Sequence, residues 1–129
     1  MSELRTDTIT ASDGTSPVTL TKQSAAKAWV NFNGTGTLAI DDSFNMASVT
    51  DGGTGSYTPV ATNSMSNTDY AFSISGREES GGYGGFFGMN DSDNQTATGF
   101  TIRCRKGSVD TGTADDRALV TAVYFGDLA

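Results

Sequence analysis

The chain has 129 residues and carries 15 Asp and Glu against 8 Lys and Arg, a formal net charge of −7. That length holds one domain with a modest core, and that charge leaves no basic face for a nucleic-acid partner. Histidine is absent, which removes the commonest general base and metal ligand.

Hydrophobic residues make up 36% of the chain, Gly numbers 16, and Thr and Ser together supply 33 residues. Thr suits strands, while Ser and Gly suit turns. The composition therefore points to an all-β protein. So low an apolar share leaves a monomer short of core, and burial between subunits is expected to supply part of the stability. The acidic charge suits a soluble protein present in many copies on a surface. The single cysteine, Cys104, excludes an intrachain disulfide. No apolar run approaches the ~20 residues of a membrane-spanning helix. Met1–Arg5 lacks the core of a signal peptide, so synthesis in a cytoplasm without export is expected.

Leu4 to Thr10 alternates like a strand, with Ile9 on the side opposite Leu4. Ser12-Asp13-Gly14-Thr15 is a turn signal, and Pro17 opens a second short strand through Val18 and Leu20. This stretch is too polar to form a core of its own. Residues 1–26 read as a short extended N-terminal arm, and residues 27–129 as the folded domain.

The domain opens on Ala28–Asn33, where Val30 and Phe32 share one face and Trp29, Asn31 and Asn33 the other. Trp29, the only tryptophan, is expected to be buried where this strand meets the core or a neighbouring subunit. Gly34-Thr35-Gly36 makes a turn, and Leu38 and Ile40 resume the alternation. Phe44, Met46 and Ser48 are expected to point together along the next strand. A Gly-rich connection, Asp51 to Gly55, precedes Tyr57. Further on, Tyr70, Phe72 and Ile74 alternate, as do Phe100, Ile102 and Cys104. That spacing predicts Cys104 as a buried core thiol. Ala118–Phe125 is almost continuously apolar, as in a strand covered on both faces. The segments 76–98 and 106–116 between these strands have no clear period and read as loops. The sum is about eight strands in an antiparallel β-sandwich or barrel-like domain.

The adjacent carboxylates Asp41-Asp42, Glu78-Glu79 and Asp115-Asp116 are expected to be solvated turn charges, because strand neighbours point to opposite faces and do not share a proton. Asn90–Thr96 alternates oxygen-bearing side chains like the start of a calcium loop. Counted from Asp91 it has Thr96 where an EF-hand has Gly and Ile102 where it has Glu, so Asp91 and Asp93 are read as polar loop residues. No catalytic residue, cofactor site or metal site is expected. Gly81–Gly88 sets Tyr83, Phe86 and Phe87 among five glycines. Aromatics on so permissive a backbone can stack on sugar rings or enter a partner's pocket, and these three are the candidate contact residues.

Three stretches together carry a resemblance: Leu4–Thr10 with Gly14-Thr15, then Lys27–Tyr57, then Val120–Asp127. They frame nearly the whole chain. In that order they resemble the head domains of tail-fibre and related appendage proteins of tailed phages, marine ones especially. The resemblance implies a homotrimer in a virion, made in the host cytoplasm and not an enzyme. Its partners would be other virion proteins of the tail, neck or capsid, and a host surface glycan or protein. The arm would attach the head through Leu4, Ile9, Val18 and Leu20. Typical fibres carry a long shaft, whereas this chain opens almost at the head motif. A short spike is therefore implied, with a capsid decoration protein as the alternative.

Overall fold

A computed structural model describes residues 25–77, 85–89, 95–107 and 112–129, with the backbone alone at Phe86. Among these residues nine strands and no helix occur: β1 (Ala26–Asn33), β2 (Ala39–Phe44), β3 (Met46–Asp51), β4 (Ser56–Ala61), β5 (Ala71–Gly76), β6 (Gly85–Gly88), β7 (Ile102–Lys106), β8 (Thr113–Ala114) and β9 (Val120–Phe125). They form two antiparallel sheets, one ordered β2-β1-β9-β5 and the other β3-β4-β7-β6 with β8 beside β7. The all-β expectation therefore holds, as two layers around one core. The arm's Leu4, Ile9, Val18 and Leu20 lie outside the described residues, as do the Tyr83 and Asp91/Asp93 candidates.

The core follows from period-2 alternation. β1 sends Ala28, Val30 and Phe32 inward, β7 sends Ile102 and Cys104, and β9 sends Val120, Ala122 and Tyr124, all buried. Aromatic rings join the two layers. Phe32 meets Tyr57 edge-on at 5.1 Å, Phe72 lies 4.1 Å from Phe100, and Phe100 lies 5.1 Å from Tyr124.

Three sequence expectations change here. β9 is buried on one face only, because its other face fills the half-open outside of the first sheet. A continuous apolar run is not proof of two-sided cover. The two segments read as loops contain strands: 76–98 holds β6, which pairs Gly85 to Gly88 with Lys106 to Arg103, and 106–116 holds the short β8, which pairs Thr113 and Ala114 with Lys106 and Arg105. Phe44 and Met46 do not share a strand face, because the chain turns a corner between them. Asn45 adopts φ 54° there, in the left-handed region that Asn tolerates better than most residues. Its Nδ2 donates to the Lys27 carbonyl at 2.9 Å, and its Oδ1 accepts from the Asn63 backbone N–H at 2.9 Å. The corner carries the chain from the edge of the first sheet to the edge of the second.

The result is a sandwich with two unlike ends. Residue 25 joins β1 at the end that also holds the β2–β3 corner and the tail after β9. β1 ends at the other, where Phe32 and Gly76 are both opposite Val120. The chain leaves β5 and returns at β6 at that far end.

Candidate functional site

The far end is held by one short segment, Asp115–Arg117. The Gly34 backbone N–H donates to the Arg117 carbonyl at 2.8 Å, tying the β1–β2 turn down. The Tyr57 hydroxyl donates to Asp116 Oδ1 at 2.6 Å, and the Gly55 N–H donates to the same oxygen at 2.7 Å. Arg117 is buried at 1% exposure. Its guanidinium donates to the Arg105 carbonyl at 3.2 Å and lies 3.4 Å from Asp115, which also pairs with Lys106 at 3.2 Å. Asp115 and Asp116 are thus half-buried staples and not solvated turn charges. Asp116's partners, Gly55 and Tyr57, lie 61 and 59 residues away in sequence, so no local pattern could announce them. Asp41 and Asp42 are exposed on β2, and Glu78-Glu79 lie outside the described residues.

Of the candidate contact residues, Phe87 is half-buried and packs against the core, its ring lying over Gly76. Phe86 occupies β6 opposite Arg105. Tyr83 lies in 78–84, the segment that joins the far-end residues Arg77 and Gly85. Cys104 is buried, as its spacing predicted. Trp29 does not enter the core. It is half-buried on the outer face of the first sheet, between Phe44 on β2 and Val123 on β9.

Burial governs the titration of the core. It pushes the Cys104 thiol up to about 12, with the Arg117 charge opposing and the two carboxylates assisting. Burial also pushes Tyr70 up to about 12, and it raises Tyr124 and Tyr57, the latter helped by its bond to Asp116. All four must stay neutral in the folded state. Their stabilising effect is complete below the unfolded-state values of about 8.5–10 and is lost as pH climbs towards the folded values. Each group steepens the fall by about 1.4 kcal/mol per pH unit. Thermal midpoints should therefore be flat near neutrality and drop sharply above pH ~10. Phenolate absorbance followed during an alkaline titration should rise together with unfolding. Smooth tyrosine ionisation with the fold intact would contradict this burial.

The end where residue 25 joins is different in kind. Of four exposed large hydrophobics among the described residues, Phe44 at 55%, Leu128 at 42% and Phe125 at 36% lie here. Two open grooves flank the tail after β9. One, of about 310 Å³, lies between Lys27, Phe44, Asn45 and Leu128. The other, of about 510 Å³, lies between Asn67, Asp69, Tyr70, Phe125 and Asp127. The sequence reading missed these residues, although Phe44 stands alone among Asp41, Asp42, Ser43 and Asn45, and such isolation was the available signal.

No family model, characterised protein or solved structure matches the chain.

Among the described residues, no group of three or more His, Cys, Asp or Glu side chains could hold a metal ion. No described helix is long and apolar enough to cross a membrane. The described surface includes an apolar end at Phe44, Phe125 and Leu128 and the open edge strands β2 and β3.

Proposed function

We propose that this chain is a structural protein of a phage virion: a short homotrimeric fibre or spike that presents a β-sandwich head for attachment to the host surface. The observation that carries the reading is the polarity of the sandwich. Residue 25 enters β1 at one end, while Arg77 and Gly85, which flank Tyr83 in sequence, stand at the opposite end, where Asp116 and Arg117 hold the turns at Gly55 and Gly34. Attachment and recognition are thereby separated by the length of the β1 strand, which for eight residues is about 26 Å. Binding residues are commonly carried on connections between the strands of a rigid scaffold.

The head works by contact, not by catalysis. Its partners are sister subunits, other virion proteins and a glycan or protein of the host surface. The arm residues Leu4, Ile9, Val18 and Leu20 make the virion contact, and Tyr83 and Phe86 reach the host.

One observation favours a second reading, a capsid decoration protein. The exposed apolar side chains Phe44, Phe125 and Leu128 gather at the end where residue 25 enters β1, where a broad contact with a shell would cover them.

Copy number separates the two. Quantitative mass spectrometry of purified particles should give far fewer copies than the major capsid protein, and Tyr83→Ala should then reduce binding of the isolated protein to host cells. Copies approaching those of the capsid protein would sink the fibre reading and favour decoration. Absence from particles would sink both.

A further inference from the structure

The two flanks of the sandwich are opposite in character. β2 and β3 are the free edges of the two sheets on one side, and together they contain no buried residue. Yet they carry Ile40, exposed at 40%, and Phe44, exposed at 55%. Edge strands left so open invite pairing with another chain. Asp41 is the extra residue where the β1–β2 register shifts, and it stands exposed beside Asp42. No Lys or Arg lies between Ala39 and Asp51.

The other side reverses the sign. β7 reads Ile102-Arg103-Cys104-Arg105-Lys106, three cations in five residues, of which Lys106 is paired with Asp115. Ile102 and Cys104 point into the core, so alternation turns Arg103 and Arg105 onto the outer face of the second sheet. Arg77, exposed, follows β5 on the same side. Among the described residues, one chain therefore carries an acidic apolar edge at β2–β3 and two outward arginines on the face of β7.

We infer that copies of this chain associate head to tail, the β2–β3 edge of one copy seated against the β6–β7 side of the next. The inference rests on the oligomeric reading above and names its interface. Identical edges meeting across a two-fold would set Asp41 and Asp42 of both copies together, and like charges so placed are unfavourable. Unlike surfaces meeting in sequence generate a ring when the rotation closes. In such a ring Ile40 and Phe44 are covered, and the aspartates face Arg105.

Sedimentation velocity of the full chain tests this. The native protein should sediment as an oligomer. D41K/D42K and R105E should each weaken association by about tenfold or more. A chain carrying all three changes should reassemble, since the charges are exchanged across the contact. F44S should also dissociate the oligomer. Far-UV circular dichroism and thermal midpoints of these variants should stay near native, because Asp41, Asp42 and Phe44 are exposed and the half-buried Arg105 points out of the core. Association should also weaken towards about 1 M salt, where charges are screened within about 3 Å. A native protein that stays monomeric would overturn the oligomeric reading and this inference with it. A native oligomer untouched by the reversals, or one the triple change fails to restore, would overturn the interface alone.

Discussion

Gly55→Ala should destabilise the protein by about 3–5 kcal/mol, while Gly36→Ala should cost about 1 kcal/mol. The two glycines have nearly the same backbone, with φ of 65° and 66°. An L-residue pays a similar conformational penalty at either site. What differs is the space. A Cβ at Gly36 meets nothing within 4 Å. At Gly55 it would collide with the Cys104 carbonyl oxygen and come within 2.8 Å of the Asp115 backbone nitrogen. Both neighbours are fixed. The Cys104 N–H donates to the Gly55 carbonyl at 2.8 Å, and the Asp115 N–H donates to the Cys104 carbonyl at 3.1 Å. Relief requires β7 or the Asp115–Arg117 segment to move, which breaks buried hydrogen bonds at about 1–3 kcal/mol each. Thermal unfolding of the two variants side by side isolates the close approach. Equal losses at both positions would mean that the backbone angle alone decides.

The same region shows where a sequence is readable and where it is not. Val30 with Phe32, and Ile102 with Cys104, declare their strands and their inward face, because one-sided burial imposes a period of two on neighbouring residues. β6 does not, because Gly85-Phe86-Phe87-Gly88 has glycine where a strand shows alternation, and its pairing with β7 is a tertiary fact. The corner at Asn45 was hidden for a related reason. Phe44 and Met46 keep the spacing of one strand, and only the long-range bonds from Asn45 to Lys27 and Asn63 reveal a change of sheet.

Candidate site residues divide along the same line. The Gly-rich aromatic stretch was legible as composition, but the packing of Phe87 over Gly76 depends on β5 and could not be read from it. Asp115 and Asp116 looked like turn charges because their local sequence is Thr113-Ala114-Asp115-Asp116. Their roles are set by Lys106, Arg117, Tyr57 and Gly55. Trp29 was expected under cover of the core or of a neighbour. In one chain it lies half-open beside Phe44. Trp29 and Phe44 thus leave part of the outer face of the first sheet apolar and open in the single chain.

Arg117 offers the sharper test of how the far end is built. Arg117→Met should change stability by no more than about 1 kcal/mol, whereas Arg117→Ala should remove about 3–5 kcal/mol. The guanidinium is fully buried, and its Nε has no hydrogen-bond partner. Among the described residues it makes one hydrogen bond of 3.2 Å and one ion pair of 3.4 Å, both longer than the best charge-assisted bonds. The desolvation of the charge is therefore only partly offset. Asp115 is not stranded by its loss, since it keeps Lys106 at 3.2 Å and remains 23% exposed to water. Methionine fills much of the same volume and removes the unpaired Nε. Alanine leaves a cavity beneath Gly85 and Phe87 and undercuts β6. The backbone bond from Gly34 to the Arg117 carbonyl survives either change. Denaturant unfolding of both variants decides the matter. If methionine is as damaging as alanine, the ion pair and not the packed volume holds this end together, and the loop platform is an electrostatic structure that high salt and acid should loosen.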